Sequence, residues 1–422
     1  MISADDATRD GWVASLKEPP VLCHLAESRL RQLLDDGELR QYEDGAELIH
    51  ADTRTFAVFL LVDGACDVQR VDARVRLHAP ALIGEIAALT GTSRTATVCA
   101  VGCASAVVIE RESFLDAIRS SAAAGQELTE LVADRICAPD SIQEVGRFKV
   151  EGIIGRGGSG RVFRARHPLL DIPIALKMLS HALALLPDGP STFIREASLL
   201  VHLDHPGIVR VLDAFEAHGT FFIVMPWIEG GTLRDNIDGK SKFSREQILR
   251  VADEALDALV ALHAAGMVHR DIKPSNLLLT SSGKLVLIDF GIACECNASS
   301  EHRLIGSPSY SSPEQILGRP VDGRSDVYSL ACTLYELVFA EPPFGGDEID
   351  SAIDGHLHGT VTFDRPALVD MGAPFLHWLK RCLSRTRINR PSAAAARAAL
   401  RDVSPLVIPH ERWSLPVIPH ER

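Results

Sequence analysis

Apolar residues at Leu22, Leu25, Leu30, Leu33 and Leu34 recur at helical spacing and predict helix over residues 20–44, after which the period shortens towards two. The preceding stretch, residues 1–17, reads as a polar leader. From Ala46 to Glu110 the pattern breaks into β-rich runs at Ala57–Val62, Cys66–Val71, Ala96–Ala100 and Ala106–Ile109. Turn signals at Asp63-Gly64 and Ala79-Pro80 separate them and predict a small β-roll. Helical spacing returns over residues 112–138, with Phe114, Leu115, Ile118, Leu128, Leu131, Val132 and Ile136 on the buried faces. Ala138-Pro139-Asp140-Ser141 then forms a joint. At Phe148 a glycine-rich strand-turn-strand begins a second β-rich stretch that runs to Met225, and from Arg245 the pattern is mostly helical. A β-rich small lobe followed by a helical large lobe is a two-lobed layout with a cleft.

The fold class is therefore multidomain α+β: a β-roll or jelly-roll with flanking helices over residues 18–138, a linker at 139–146, a two-lobed unit over 147–402 and an extended tail at 403–422. In the tail the hexapeptide Val407–Arg412 recurs as Val417–Arg422, too few copies for a solenoid.

Charge and cysteine usage narrow the partners. A net charge of −13 argues against a dedicated nucleic-acid binder, which needs a basic footprint to displace phosphate counterions. The nine cysteines form no metal-type pair of pairs and read as reduced thiols. Acidic residues occupy the start, where a signal peptide carries positive charge, and no apolar run approaches the roughly 20 residues of a membrane span. These features place the protein in the cytoplasm, away from membranes.

Five elements in fixed order carry phosphotransfer chemistry. Gly155-Arg-Gly157-Gly-Ser-Gly160-Arg-Val162 lets backbone N–H groups close over nucleotide phosphates. Lys177 in Ile-Ala-Leu-Lys reaches the α- and β-phosphates, and Glu196 is the anion that positions it. His269-Arg270-Asp271-Ile-Lys273-Pro-Ser-Asn276 and Asp289-Phe290-Gly291 supply a carboxylate for the attacking hydroxyl and two Mg²⁺ ligands.

Over residues 147–402 the chain thus resembles the eukaryotic-like (Hanks-type) Ser/Thr protein kinases, with their two-lobed fold. The resemblance implies ATP and Mg²⁺ as cofactors and proteins phosphorylated on Ser or Thr as substrates. It makes Asp271 the catalytic base, sets Lys273 near the transferred phosphoryl group, and puts Asn276 and Asp289 on Mg²⁺. Val162 and Ala175 would sandwich adenine, Met225 is the gatekeeper, and the Ile228 N–H is the hinge donor beyond Pro226. Glu314 with Arg390, and Asp326 bracing the catalytic loop, are architectural. Ser299, Ser300, Ser307 and Ser309 are the candidate acceptors for an activating phosphate facing Arg270, with Ser299 and Ser300 the favoured pair. Ser307 stands where a hydroxyl residue contacts Asp271 and Lys273, and Cys294 and Cys296 read as plain thiols. Gly231-Thr232 and Ser275-Asn276 lack the glutamates of basophilic relatives, so no strong arginine requirement is expected upstream of the target hydroxyl.

A second constellation runs from Ile83 to Val98. Glycine beside a carboxylate, a short helix, then arginine makes a workable anion pocket, in which backbone N–H groups and a guanidinium share one phosphate. This resembles the phosphate-binding cassette of cyclic-nucleotide-binding domains. The resemblance implies Glu85 on the ribose 2′-OH and Arg94 on the cyclic phosphate, assisted by the N–H groups of Gly84, Ile86, Ala87 and Ala96. Thr95 hints at cGMP over cAMP. Ile83, Ala51 and Ala79-Pro80-Ala81 depart from the family pattern. The expected function is a Ser/Thr kinase regulated by cAMP or cGMP. The alternatives are a kinase whose roll only packs or contacts proteins, and a nucleotide-sensing pseudokinase scaffold.

Overall fold

The computed structural model describes residues 6–69, 74–138, 144–239, 242–289, 294–295, 307–345, 349–363 and 371–403. Phe290, Gly291, Cys296, Ser299, Ser300 and the repeated tail hexapeptides lie outside the described residues. Two compact units result, Met1–Ala197 with Leu212–Trp227 and Ser198–Val211 with Ile228–Arg422.

The first unit opens with α1 (Asp6–Ser15) and α2 (Glu27–Asp36), followed by β1 (Glu38–Tyr42), β2 (Glu47–Ile49), β3 (Val58–Gln69), β4 (Arg74–His78) and β5 (Ala81–Ile83). Then come α3 (Glu85–Thr90), β6 (Thr97–Ile109), α4 (Arg111–Arg119) and α5 (Ala122–Cys137). These strands form one antiparallel sheet in the order β1-β6-β3-β4, with β2 on β6 and β5 on β3. Its second sheet comprises β7 (Glu144–Val145), β8 (Phe148–Gly157), β9 (Gly160–Arg166) and β10 (Pro173–Leu179), and, after α6 (His181–Ala184) and α7 (Gly189–Val201), β11 (Asp213–Ala217) and β12 (Thr220–Pro226). The order is β11-β12-β10-β9-β8-β7.

Three expectations require correction. The stretch read as a polar leader contains α1, whose Val13 is buried beside Leu16, because these apolar residues lie one turn apart on a single stripe. Helix does not extend over all of residues 20–44: it stops at Asp36, and Glu38–Tyr42 pairs with β6. Asp63-Gly64 is not a turn but a bulged bend inside the twelve-residue β3, where the register with β6 shifts and Gly64 takes φ 84°. Ala57–Val62 and Cys66–Val71 thus fall largely on one strand, and Ala96–Ala100 and Ala106–Ile109 largely on β6.

The second sheet has two different faces, fixed by register. Lys177 lies opposite Val162 on β9, and Ala175 lies opposite Met225 on β12. Residues two apart on a strand share a face, so Val162, Ala175, Lys177 and Met225 stand together. The opposite face, with Phe163, Ala165, Ile174, Leu176, Met178, Phe222 and Val224, enters a core that also holds Leu128, Val132 and Ile136 of α5 and Leu30 and Leu33 of α2. Roll helices and second sheet therefore share one hydrophobic core across the joint.

The second unit contains β13 (Gly230–Thr232), α8 (Leu233–Asp238), α9 (Arg245–Ala264), β14 (Met267–Val268), β15 (Leu277–Thr280), β16 (Leu285–Leu287) and β17 (Cys294–Glu295). It continues with α10 (Pro313–Ile316), α11 (Gly323–Phe339), α12 (Ile349–His358), α13 (Ala373–Cys382) and α14 (Ala393–Val403). A Ser244–Gln247 capping box starts α9, whose Ala252, Leu256 and Leu259 are buried. Arg397 and Arg401 of α14 hold the Asp253 carboxylate on α9. No helix among the described residues is long and apolar enough to cross a membrane.

Candidate functional sites

In the second unit a short, irregular segment between β14 and β15 carries His269, Arg270, Asp271, Lys273 and Asn276. Its backbone is fixed by a buried carboxylate: Asp326, in the first turn of α11, accepts from the N–H groups of His269 at 2.9 Å and Arg270 at 2.8 Å and from His263 Nε2 at 2.8 Å. Burial alone would raise its pKa, but these bonds outweigh burial and hold it below the usual carboxylate range. Arg270 takes φ 67°, a left-handed conformation that L residues rarely adopt, and Gln315 Nε2 donates to its carbonyl at 2.7 Å.

Asp271, the next residue, is half-buried. Its carboxylate receives the Lys273 ammonium at 2.8 Å, Asn276 Nδ2 at 3.1 Å and the Ser307 N–H at 3.1 Å. Lys273 also donates to Ser307 Oγ at 2.8 Å, and Asn276 Nδ2 to the Asp271 carbonyl at 2.7 Å. The Ile288 N–H donates to the Asn276 carbonyl at 2.9 Å, which brings the backbone before Asp289 alongside Asn276. The structure thus gathers Asp271, Lys273, Asn276 and Ser307 into one cluster with Asp289 adjacent in the chain fold. The donor set suits Mg²⁺, which takes hard oxygen ligands such as the Asp289 carboxylate and the Asn276 amide oxygen.

Away from this cluster, Arg390 binds Glu314 through both Nη atoms at 2.6 and 2.9 Å, and Ser325 Oγ donates to Glu314 at 2.6 Å. Ile228, placed at the hinge by sequence, is a half-buried residue ahead of β13.

In the first unit β8 and β9 form the glycine-rich hairpin. Gly155 lies opposite Val162, and Gly157 opposite Gly160. Gly160 has φ 145°, and a side chain there would strike the Met178 carbonyl, so glycine lets β9 close onto β10. Lys177 is buried at 2% exposure on the face shared with Val162, Ala175 and Met225. Glu196 is half-buried on α7, which is fixed to the sheet by Phe193 stacking on Phe221 at 4.6 Å.

The roll contains a cavity of about 180 Å³ lined by Gly84, Glu85, Ile86, Ala87, Arg94, Thr95 and Ala96, all seven residues singled out in the sequence. Gly84 caps α3 with φ 87°, where a side chain would strike the Arg94 guanidinium. Arg94 is 3% exposed and donates to the carbonyls of Gly84 at 2.9 Å and Ala57 at 2.5 Å and to Thr55 Oγ1 at 3.2 Å. Burial works against its charge and Glu85 supports it. The glycine, the carboxylate and the buried guanidinium fit an anionic sugar phosphate, and the apolar walls of Val68, Leu77 and Leu82 fit a base. Sequence reading missed Arg135, which lines the cavity from α5, because only tertiary packing brings that helix there.

Comparison with known proteins agrees with both halves. Residues 148–400 match the family model of the protein kinase domain, and residues 39–121 that of the cyclic nucleotide-binding domain. The serine/threonine-protein kinase PkaB of Streptomyces coelicolor is 34% identical over 272 residues, which is 62% of this chain and 64% of that protein. The serine/threonine-protein kinase PknB of Mycobacterium tuberculosis is 38% identical over 220 residues, 50% of this chain and 35% of that protein. A probable serine/threonine-protein kinase of S. coelicolor is 40% identical over 211 residues, 48% of this chain and 31% of that protein. The matches therefore span between about a third and just under two thirds of these relatives.

Proposed function

Because the chain belongs to the protein kinase family, we propose that it transfers the γ-phosphoryl group of ATP to Ser or Thr of protein substrates, in the cytoplasm, and that a cyclic nucleotide in the roll regulates it. The observation that carries the phosphotransfer reading is the half-buried Asp271 carboxylate held by Lys273, Asn276 and the Ser307 N–H. A carboxylate so oriented accepts the proton of an attacking hydroxyl, and the Lys273 ammonium beside it offsets charge on the phosphoryl group. Gly155, Gly157 and Gly160 cover the phosphates, Lys177, oriented by Glu196, binds them, and Val162, Ala175, Met225 and the Ile228 N–H hold adenine. Asn276 and Asp289 would hold Mg²⁺, which neutralises phosphate charge when bound.

For regulation, the support is that one cavity gathers Glu85 and Arg94 with Gly84, Ile86 and Ala87 at the start of α3. Glu85 accepts from the ribose 2′-OH and Arg94 pairs with the cyclic phosphate. A second reading, in which the roll only packs, is favoured by the way Arg94 spends its donors on protein oxygens and by the core shared with the second sheet. Calorimetric titration of the full chain with cAMP and cGMP separates the two: heat saturating at one site supports the sensor, and none with either ligand leaves packing. Phosphoamino-acid analysis after incubation with γ-labelled ATP tests the transfer, with label expected on Ser or Thr. Labelled tyrosine alone would contradict it.

A further inference from the structure

Helix α5 belongs to the roll by sequence, yet one stripe of it runs along the glycine-rich hairpin. Gln126, Glu130 and Asp134 recur every four residues and so share a helix face. Gln126 lines a cavity of about 430 Å³ together with Glu130, Arg156, Gly157, Gly158 and Arg161. Arg156 donates to Glu130 Oε2 at 2.8 Å and reaches Asp134 at 3.5 Å. Arg161 Nε donates to the same Glu130 oxygen at 3.0 Å, and its Nη2 pairs with Oε1.

Arg161 is the informative partner. It is 8% exposed, and its Nη1 donates at 2.7 Å to the carbonyls of both Gly157 and Gly160. One guanidinium therefore ties the two ends of the glycine turn together, and Glu130 neutralises and orients that guanidinium from outside the kinase domain. Burial disfavours the charge of Arg161, so removing Glu130 would leave a buried cation held by the two glycine carbonyls without its carboxylate.

The seat of Glu130 is itself rigid. Thr129 immediately precedes it; Thr129 Oγ1 accepts from the His181 N–H at 2.9 Å, and His181 Nε2 donates to the His218 carbonyl at 3.0 Å. Gly125 lies so close to α6 that an added Cβ would stand 2.6 Å from Ala182 Cα. Further along the same helix, Arg135 lines the cyclic-nucleotide cavity.

We propose that Glu130 is a positioning residue for the phosphate-covering hairpin, acting through Arg161 and Arg156, so that ATP affinity is set in part by a side chain of the sensor's last helix. The proposal rests on the kinase reading and deepens it. A hairpin that samples its competent form a tenth of the time lowers apparent affinity about tenfold without altering the chemical step.

The test uses the full chain, with Glu130→Gln as variant and Asp134→Asn as control for loss of charge on the same face. A fluorescent ATP analogue with Mg²⁺ is titrated into each protein, and KM for ATP and kcat are measured in parallel. The expected result for Glu130→Gln is a Kd and KM raised roughly tenfold with kcat within about twofold of wild type, and wild-type values for Asp134→Asn. Should Glu130→Gln melt at a lower temperature, Thr129→Val supplies the comparison: it loosens α5 without touching Arg161. Glu130→Gln must then exceed it in KM shift. Wild-type Kd and KM in Glu130→Gln, or equal losses in all three variants, would overturn the proposal while leaving the kinase reading intact. A wild-type chain that neither binds the analogue nor transfers phosphate would remove the kinase reading and this proposal together.

Discussion

At the scale of single residues, the decisive groups are those whose surroundings leave them little freedom. Asp271 is one, with three donors fixing its carboxylate. Asp271→Asn keeps the shape but removes the proton acceptor, and loss of a general base costs on the order of 10²–10⁴-fold in rate. Turnover should fall by that factor while binding of a fluorescent ATP analogue persists; more than about a tenth of wild-type turnover would take Asp271 out of that role. His181 is another. Buried between Thr129 and the His218 carbonyl, it has its pKa lowered by burial to about 4, from 6.5. The sign follows from proton binding: below pH 6.5 the unfolded chain takes up a proton that the folded chain refuses until about pH 4. Stability from this site is complete above pH 6.5 and is lost as pH falls, by up to roughly 3 kcal/mol. Chemical denaturation between pH 7 and pH 4.5 should show a shallower decline for His181→Gln than for wild type. An identical slope would mean that His181 is not the group refusing the proton. The motif residues were legible because their chemistry is local in sequence: Asp271, Lys273 and Asn276 fall within six positions. Arg135 and Glu130 were not, since a lone Arg or Glu on an amphipathic helix looks like any solvated position until its neighbours are known.

At the scale of elements, periodicity found most helices and strands, and it failed where tertiary pairing overrode local signals. Asp63-Gly64 carries a turn signature, yet β3 continues through it because pairing with β6 holds on both sides of the bulge. The stretch Glu38–Tyr42 continues a helical run in sequence and pairs as an edge strand instead. Val13 and Leu16 are too few to announce α1, and the core they enter is built by the nearby α2 and by α4 and α5 far along the chain. The cassette between β5 and β6 is better specified, because glycine, carboxylate and arginine must keep their spacing to share one pocket. Losing the Arg94 guanidinium leaves a bound phosphate with fewer charge-assisted partners, each worth about 1.5–3 kcal/mol. Arg94→Ala should weaken cyclic-nucleotide binding roughly 10–150-fold in calorimetry while basal phosphotransfer is unchanged. Equal affinity for both proteins would leave Arg94 as a packing residue that serves only Gly84 and Ala57.

At the scale of the whole molecule, the roll and the small-lobe sheet share a core in which Leu128 and Ile136 of α5 lie with Phe163, Leu176 and Phe222. Sequence placed a joint after Ala138, and composition gave no sign that apolar faces on either side of it meet. The β11–β12 turn also touches the cassette: an added Cβ at Gly219 would stand 2.5 Å from the Leu89 carbonyl at the end of α3. Arg111 Nε donates to the Ala88 carbonyl at 2.6 Å and links α3 to α4. A ligand that moved α3 would therefore act on α4 and on a turn of the kinase sheet itself. It shifts the active fraction only as far as it binds one state better, typically by a coupling of about 5–150-fold. The most direct test is the rate of γ-phosphoryl transfer to Ser or Thr by the full chain, measured across a titration with cAMP and, separately, cGMP. The expected result is measurable transfer without either ligand and a saturable change of at least about fivefold with one of them. A rate that stays flat through saturating concentrations of both, or no transfer to Ser or Thr under any of these conditions, would contradict it.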